Sequence, residues 1–321
     1  MTALRSFVLL AILLPAVAEA GVKTVLRVGY FPNVTHAQGV IGRAATAAGR
    51  GWFEARLGAD VTVQWFVFNA GPSAMEAIFA GSIDLTYVGP SPALNAYVRS
   101  RGDEIRVLAG AAEGGAALVV REGAGIRTPA DFRGKKIATP QLGNTQDVAA
   151  RTWLKQQGLH VTTTGGDAWV LPTANADQLT LFAAGKIDAA WTVEPWVSRL
   201  VQDGGGRVFL EQPEAVTTLL VASVKFLREQ PELAKKFTAA HGELTAWINT
   251  HEADAREQVR AGLSAALHRE LPAALVAAAW ARLHFTAQVA PAQLASLVAD
   301  AQSAGFLRHA IPLDRLFSDQ P

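Results

Sequence analysis

The residues of this 321-residue sequence that are best suited to chemistry are amide and hydroxyl side chains in loops that follow short apolar segments. The clearest case is Asn144-Thr145, which follows the strand-like residues 136–139 and the strand-breaking Pro140 and Gly143. Apolar residues then recur at helical spacing, so a helix is predicted to begin at Asn144 or Thr145. A helix start presents free backbone N–H groups and the positive end of the helix dipole, which together bind anions. Because Asn and Thr are also common helix caps, this unit alone predicts either an anion site or a simple cap.

Several other loops end predicted strands in the same way and carry side chains suited to holding a ligand. In the first half of the chain the candidate ligand-binding residues are Tyr30, Phe31, Asn33, His36, Ser73, Gly89, Ser91 and Glu113. In the second half they are Asn144, Thr145, Gln146, Trp191 and Glu194. No lysine or arginine lies in these loops, so an anion would be held by neutral donors and helix dipoles. Such a site suits a weakly hydrated anion better than a strongly hydrated ion.

Some of these side chains have a second interpretation that the sequence leaves open. Tyr30, Phe31 and Trp191 are predicted either to pack on an apolar part of the ligand or to fill the core of a domain. Glu194 either pairs with a ligand amine or is an exposed carboxylate in a turn before proline. His36 either donates a hydrogen bond to an oxyanion or caps the helix that follows it.

The elements that must position these loops are strands that alternate with helices through most of the first 223 residues. This alternation predicts an α/β fold with parallel sheets, whose ligands lie beyond the carboxyl ends of the strands. The pattern occurs twice, most clearly in residues 75–84 and 179–188, which share the motif Ala-Gly-x-Ile-Asp. Two similar lobes that face each other are therefore predicted. The residues after 223 have the apolar spacing of helices.

Composition and motifs exclude several classes of function. The formal net charge is +1, which gives no reason to expect a nucleic acid or a membrane surface as partner. Without cysteine, the chain has no disulfide, thiolate metal site or cysteine nucleophile. The sequence has no hydrolase, metalloprotease or phosphate-loop motif, and no histidine–carboxylate cluster has metal-ligand spacing. We therefore expect a binding protein, not an enzyme, with no cofactor and no metal.

The N-terminus has the pattern of a secretory signal peptide. Arg5 precedes an apolar run at residues 7–14, and small residues before position 21 provide cleavage sites. The apolar run is too short to anchor the protein across a bilayer. Because no cysteine follows the cleavage site, no lipid anchor is expected. The mature protein is expected to be a soluble protein of the periplasm.

Four segments together resemble a known family: residues 88–92, 110–116, 138–145 and 191–196. They are similar to the periplasmic substrate-binding proteins of ABC importers, and within these to the aliphatic sulfonate, taurine and nitrate group. The resemblance implies an α/β type II periplasmic-binding-protein fold, with two similar lobes that each contain a mostly parallel sheet. It also implies a two-crossing hinge and a helical C-terminal tail. The predicted domains are the signal peptide at 1–20, lobe 1 at 21–112, lobe 2 at 113–217, and a return to lobe 1 with the C-terminal helices at 218–321.

The function that this resemblance implies is solute binding for import. The ligand would be a small organic anion, either an aliphatic sulfonate or a taurine-like compound, bound between the lobes and delivered to an ABC transporter permease in the inner membrane. Nitrate, bicarbonate and a pyrimidine or thiamine precursor stay open as ligands. An enzyme acting on a pyrimidine precursor and a sensor domain stay open as functions of the same scaffold. The resemblance implies a monomer.

Overall fold

The structure is a computed structural model that describes residues 23–309 and 311–317. The predicted signal peptide at residues 1–20 lies outside the described residues. Within the described ranges, no helix is both long enough and apolar enough to cross a membrane.

The first part of the chain alternates strands and helices, as its sequence pattern predicts. Its strands are β1 (Thr24–Tyr30), β2 (Val61–Val67), β3 (Leu85–Val88) and β4 (Ile105–Gly114). Its helices are α1 (Ala37–Ala47), α2 (Glu54–Leu57), α3 (Gly71–Phe79) and α4 (Pro90–Arg99). A short 3-10 helix, Val34–His36, precedes α1.

The middle part repeats this alternation with shorter strands. The strands are β5 (Ala116–Arg121), β6 (Lys136–Thr139), β7 (Val161–Thr162), β8 (Gly165–Gly166), β9 (Trp169–Pro172), β10 (Ala189–Val193) and β11 (Gly206–Glu211). The helices are α5 (Thr145–Gln156), α6 (Asn175–Ala183) and α7 (Trp196–Gln202). Two 3-10 helices, Glu122–Ala124 and Pro129–Phe132, lie between β5 and β6.

The last part is mainly helical, as the apolar spacing predicts. It begins with the strand β12 (Val216–Ser223) and contains one further short strand, β13 (Leu283–Phe285). Its helices are α8 (Val224–Glu229), α9 (Pro231–Thr250), α10 (Glu252–Ala266), α11 (Ala273–Trp280) and α12 (Pro291–Ser303).

The described strands form two large sheets with the same arrangement. The first sheet has the order β13-β4-β12-β3-β1-β2, and the second has the order β11-β5-β10-β6-β9. We call the first sheet with its helices lobe 1, and the second sheet with its helices lobe 2. In each sheet three neighbouring strands run parallel, β2-β1-β3 in lobe 1 and β9-β6-β10 in lobe 2. The next strands, β12 and β5, pair antiparallel with β3 and β10. Both sheets are therefore mixed, because the strands that follow a crossing between lobes enter in the opposite direction.

The internal repeat appears in the structure as matching turns. The helices α3 and α6 are each followed by a glycine with positive φ, 66° in lobe 1 and 68° in lobe 2, a conformation that favours glycine. The aspartate of the shared motif then accepts a hydrogen bond from the first parallel strand of its lobe. Arg27 N–H donates to Asp84 at 2.8 Å, and Lys136 N–H donates to Asp188 at 3.0 Å. The two lobes thus use the same local chemistry to connect helix to strand.

The chain crosses between the lobes twice. It leaves lobe 1 at Gly114 and Gly115, where φ is 70° and 69°, and returns through residues 212–215 into β12. A Cβ on Gly114 would lie 2.4 Å from the carbonyl oxygen of Arg282, so glycine is required there by packing as well as by conformation. The two crossings have the connectivity expected of a hinge. The domain boundaries at residues 112 and 217 stay a prediction.

Candidate ligand-binding cleft

A small cavity of about 20 Å³ lies between the two lobes. One wall of the cavity comes from lobe 1, including its strand β12. Its lining residues are Phe31, Asn33, Thr35, His36, Asn69, Ala70, Gly71, Gly89, Pro92 and Thr217. Those from lobe 2 are Pro140, Asn144, Thr145, Gln146, Asn175 and Val193. The cavity lies beyond the carboxyl ends of the parallel strands of both sheets, which is where the strand–helix pattern predicts a ligand.

Five helices begin at this cavity. The first residues of α3 and α6 line the cavity, and so do the residues directly before α4 and α5. The fifth helix is the 3-10 helix before α1, which contributes two lining residues. The described residues that line the cavity include no Asp, Glu, Lys or Arg. The positive ends of the helix dipoles are therefore the main source of electric field, and they favour an anionic group.

Asn144 caps α5 and lines the cavity at the same time. Its Oδ1 accepts a hydrogen bond from the N–H of Asp147 at 2.9 Å, and its Nδ2 donates to Oε1 of Gln146 at 2.9 Å. Capping holds Thr145, the first residue of α5, at the wall of the cavity. The two interpretations of Asn144-Thr145 are therefore compatible.

A buried ion pair fixes the start of α5 within lobe 2. The side chains of Asp147 and Arg151 are fully buried, with Arg151 Nε 3.0 Å from Asp147 Oδ2. The carboxylate also accepts hydrogen bonds from Thr139 Oγ1 at 2.9 Å and from the N–H of Gly143 at 3.0 Å. Arg151 Nη2 in turn donates to the carbonyl of Val170 at 3.1 Å. Because both charges have several partners, the pair tolerates burial and holds the loop before α5 in one conformation.

Thr145 lies against the start of α4 in lobe 1. The N–H of Ser91 donates to Thr145 Oγ1 at 3.3 Å. A Cβ on Gly89 would lie only 2.4 Å from the same oxygen, so glycine allows this close approach of the lobes. The hydroxyl of Ser91 is buried and has no hydrogen-bond partner among the described residues. Ser91 is not a lining residue, but its unpaired hydroxyl next to Thr145 is a candidate donor to a ligand.

Further hydrogen bonds tie the lobes together around the cavity. Asn69 Nδ2 of lobe 1 donates to the carbonyl of Pro140 at 3.1 Å, and Asn69 Oδ1 accepts from the N–H of Asn175 at 3.3 Å. Ser73 Oγ lies 3.1 Å from Oε1 of Gln141 and bridges the lobes outside the lining. These bonds hold the cleft closed, and a closed cleft excludes water and strengthens the polar contacts inside it.

His36 contributes a neutral ring to the cavity. Burial lowers the pKa of His36 to about 3, so the ring carries no charge at neutral pH. Its Nδ1 accepts a hydrogen bond from the N–H of Phe31 at 3.4 Å, which leaves the ring proton on Nε2 as a donor. The side chain makes no capping hydrogen bond to α1, which disfavours the capping interpretation of His36.

Two of the aromatic candidates lie in the cores of the lobes. Tyr30 is buried in lobe 1, with its ring centroid 5.9 Å from that of Trp65 in an edge-to-face arrangement. Trp191 is buried in lobe 2, with its ring centroid 6.2 Å from that of Trp153. Of the Phe, Tyr and Trp residues that the structure describes, Phe31 alone lines the cavity. Of the two interpretations that the sequence leaves open for Tyr30 and Trp191, the structure supports core packing and not contact with a ligand.

Glu194 is neither exposed nor part of the cavity lining. Its buried carboxylate accepts hydrogen bonds from Ser198 N–H at 3.0 Å and Ser198 Oγ at 2.9 Å, and lies 3.3 Å from Arg282 Nη1. Burial raises the pKa of Glu194 to about 6, although Ser198 and Arg282 oppose this shift. Arg282 follows α11 and also lies 2.8 Å from Glu211 of lobe 2. Both sequence interpretations of Glu194 are corrected, since the carboxylate is engaged in an ion pair between the lobes.

Glu113 lies in β4 at the crossing and not at the cavity. Its Oε1 accepts a hydrogen bond from Nε2 of Gln293 at 2.8 Å. In the sheet it is paired with Val216 of β12 and His284 of β13. Its position therefore supports the connection between the crossing strand and the C-terminal helices.

Sequence reasoning missed four polar residues of the lining, which are Thr35, Asn69, Asn175 and Thr217. Asn69 and Asn175 follow β2 and β9, which occupy the same place in the two sheets. The internal repeat therefore contained a signal for this pair. Thr217 lies in β12, an antiparallel strand that the strand–helix alternation does not assign to the cleft.

Comparisons with known proteins agree with this geometry. The sequence pattern of the NMT1-like family matches residues 19–264. The putative aliphatic sulfonates-binding protein of Escherichia coli K12 is 30% identical over 227 residues, which cover 67% of this chain and 65% of that protein. The taurine-binding periplasmic protein of the same organism is 29% identical over 180 residues, which cover 55% of this chain and 54% of that protein. The chain thus spans less than two thirds of the length of either relative.

A solved structure supports the architecture. The alkanesulfonate-binding protein of Xanthomonas axonopodis pv. citri bound to MOPS matches with a TM-score of 0.72 and 22% identity. The match covers 93% of this chain and 97% of that protein. At this identity the likeness shows the fold, so the predicted two-lobed periplasmic-binding-protein fold is confirmed.

Proposed function

The chain belongs to the NMT1-like family, and on that premise we propose that it binds a small organic anion between its lobes and delivers it to the permease of an ABC importer. The proposed ligand is an aliphatic sulfonate or a taurine-like compound. The proposed place of action is the periplasm, reached after removal of residues 1–20. The relatives are named as binding proteins, in agreement with a role in binding and not in catalysis.

The observation that carries this proposal is the convergence of five helix starts on a cavity whose described lining has no charged side chain. A sulfonate spreads one negative charge over three oxygens, and each oxygen can accept hydrogen bonds from neutral donors. The hydroxyl of Thr145, the amides of Asn144 and Gln146, and backbone N–H groups at the helix starts are suitable donors. His36 adds a neutral ring donor, so the cavity holds an anion without any cationic side chain.

The lining also bears on the choice between a plain alkanesulfonate and taurine. A ligand ammonium group needs a carboxylate or several acceptor oxygens to replace its water. The carboxylate of Glu194 is already paired with Ser198 and Arg282. We therefore favour an alkanesulfonate without an amine over taurine.

Nitrate is the second candidate, and the size of the cavity is the observation that favours it. A cavity of about 20 Å³ has room for little more than a water-sized group by the same measure. Because Tyr30 and Trp191 are buried in the cores of the lobes, these two rings do not enlarge the cavity in favour of a ligand bigger than nitrate. A sulfonate requires the lobes to part slightly around its carbon chain.

A thermal-shift screen of the mature protein, residues 21–321, tests the ligand class. The screen compares methanesulfonate, ethanesulfonate, taurine, nitrate, bicarbonate and uracil. A ligand present at about 100 times its dissociation constant adds about 2.7 kcal/mol to the free energy of unfolding. We expect the two alkanesulfonates to raise the melting temperature most. A shift with uracil alone, or with nitrate alone, would overturn the sulfonate proposal.

Calorimetry on Thr145→Ala then tests the site. Loss of a hydrogen bond to a charged group is expected to weaken binding by about 1 to 2 kcal/mol, or roughly tenfold. Thr163→Ala is the matched control, because Thr163 is exposed in the turn between β7 and β8. Equal affinities of the two variants would remove Thr145 from the binding site.

A further inference from the structure

The C-terminal helix α12 is packed on lobe 1. Leu294, Val298 and Ala301 of α12 belong to the hydrophobic cluster that also contains Leu94 and Tyr97 of α4. Leu294 is fully buried in this cluster. These apolar contacts attach α12 firmly to lobe 1.

The same helix also reaches α5 of lobe 2. Thr152 Oγ1 of α5 donates to the carbonyl of Asp300 at 3.0 Å, and Lys155 Nζ donates to the carbonyl of Ser303. Val148 of α5 is the one residue between the two crossings that belongs to the lobe 1 cluster, among the residues that the structure describes. Two hydrogen bonds therefore connect α12 to the opposite lobe, and Val148 adds an apolar contact between α5 and the lobe 1 cluster.

A further contact lies just beyond α12. The ring of Phe306 is close enough to Gly143 that a Cβ on this glycine would lie 3.4 Å from it. Gly143 belongs to the loop that leads into α5. The segment around α12 thus touches both the loop before α5 and the second half of α5.

The chemistry of these contacts suits the end of a helix. The carbonyl of Asp300 already accepts the backbone N–H of Ala304 at 2.8 Å, whereas the carbonyl of Ser303, the last residue of α12, has no later N–H of the helix to accept. Both carbonyls lie at the negative end of the helix dipole. The ammonium group of Lys155 supplies a charged donor to this end, which is a favourable arrangement. The contact is thus specific for the C-terminal end of α12 and not a general surface contact.

We propose that α12 is a closure clamp, and that Thr152 and Lys155 are positioning residues that hold α5 against lobe 1. α5 begins with Thr145 at the cavity, so a helix held by the clamp presents this hydroxyl to the ligand. Thr152 and Lys155 lie about two and about three turns after Thr145 on the same face of α5, so the clamp acts along the face of this helix that meets lobe 1. The proposal rests on the proposed function only in taking closure of the lobes as the step that retains the ligand.

The proposal requires that these bonds break when the lobes separate. Both donors belong to lobe 2 and both acceptors to lobe 1, so opening about the two crossings must lengthen them. Two similar bonds elsewhere lie within single lobes and provide matched controls. Lys135 Nζ donates to the carbonyl of Ala124 at 2.7 Å in lobe 2, and Thr238 Oγ1 donates to the carbonyl of Ala234 at 2.9 Å in lobe 1.

The test compares the double variant Thr152→Val/Lys155→Met with the control double variant Lys135→Met/Thr238→Val. Because the chain has no cysteine, Glu76→Cys in lobe 1 and Lys186→Cys in lobe 2 provide one exposed spin-label site on each lobe. Pulsed electron paramagnetic resonance then gives the distance between the labels in the ligand-free mature protein. We expect the ratio of open to closed molecules to rise about fivefold or more in the clamp variant, and to stay unchanged in the control.

A distance distribution that is the same in the clamp and control variants would overturn the proposal. The single variant Lys155→Met, which removes one surface contact, keeps the test available if the double variant does not fold. The distance readout needs no ligand, so failure of every sulfonate in the thermal-shift screen would contradict the proposed function without affecting this test. Where a ligand is found, its dissociation rate should rise by a similar factor in the clamp variant alone.

Discussion

Two buried carboxylates of this protein, Asp147 and Glu194, are each paired with an arginine, yet the two pairs differ in where their partners lie. The Asp147–Arg151 pair is contained in lobe 2, and its further hydrogen-bond partners are in lobe 2 as well. The Glu194–Arg282 pair joins lobe 2 to the segment that follows α11 in lobe 1. The first pair persists whatever the lobes do, whereas the second needs the lobes to be together.

The two ion pairs also differ in their solvent exposure and in their hydrogen-bond partners. Both side chains of the first pair are 0% exposed, whereas Arg282 is 29% exposed and shares its charge with Glu211. Burial raises the pKa of Glu194 to about 6, since one arginine contact at 3.3 Å and the bonds from Ser198 do not fully replace water. The comparison indicates that the first pair sets the shape of one cavity wall and the second responds to the relation between the lobes.

The largest expected effect is on folding stability, from Asp147→Asn. This change leaves the charge of Arg151 buried without its carboxylate, which costs about 3 to 5 kcal/mol. Asp177→Asn is the matched control, because Asp177 is the third residue of α6 as Asp147 is of α5, but is exposed. Urea unfolding measures both variants, and the control should lose less than about 1 kcal/mol. Similar losses in the two variants would contradict the difference drawn between the pairs.

An intermediate effect is expected in the pH dependence of stability. The folded state binds the proton of Glu194 more tightly than the unfolded state, because its pKa is raised from 4.5 to about 6. This tighter proton binding adds to the free energy of unfolding. The added stability is complete below about pH 4.5 and is lost as the pH rises through about 6. For a pKa that is raised by about 1.5, the loss is about 2 kcal/mol. Glu194→Gln should remove this loss. Urea unfolding at pH 4.5 and 7.5 measures it as the difference between wild type and variant.

The exposed Glu122 provides the control for that experiment. Glu122→Gln should keep the wild-type pH dependence. If Glu194→Gln and the wild type lose the same stability between the two pH values, the raised pKa of Glu194 is wrong.

A smaller effect is expected on affinity from Arg282→Met. The pair is partly exposed, so its loss should cost about 1 kcal/mol, or roughly fivefold in the dissociation constant of the proposed sulfonate ligand. The midpoint of the Glu194 pH dependence should also rise, because Arg282 lowers the pKa of this carboxyl. Arg56→Met is the control, since Arg56 pairs with Glu243 inside lobe 1. Calorimetry that finds equal affinities for the two variants would show that the cross-lobe pair does not respond to closure.

The sequence was sufficient for the repeated architecture and for the helix starts at the cleft. Local rules determine these features, such as the glycine after α3 and α6 and the aspartate that follows it. Asn144 shows how local rules also reach the site, because a residue that caps a helix at the end of a parallel strand lies at the cleft by the same geometry.

The sequence was insufficient for side chains whose partners are distant along the chain. The sequence suggests only a ligand amine or solvent as the partner of Glu194, because Arg282 is 88 positions away and nothing in the local pattern indicates the pair. Tyr30 and Trp191 end or lie in strands, where alternate side chains point to opposite faces, and only the packed structure shows that these two enter the cores. The missed Asn69 lies in the loop after β2, and the missed Asn175 is the first residue of α6; at both places the sequence pattern does not define the direction of the side chain.

The uncharged lining of the cavity has a consequence for the ionic strength at which the protein works. At about 0.1 to 0.15 M, salt largely screens interactions between exposed charges that lie more than about 8 to 10 Å apart, but it has little influence on hydrogen bonds in a closed cavity. An anion held by neutral donors and helix starts should therefore keep nearly the same dissociation constant between about 10 and 200 mM sodium chloride. A protein with this property would bind its ligand equally well in dilute and in saline surroundings.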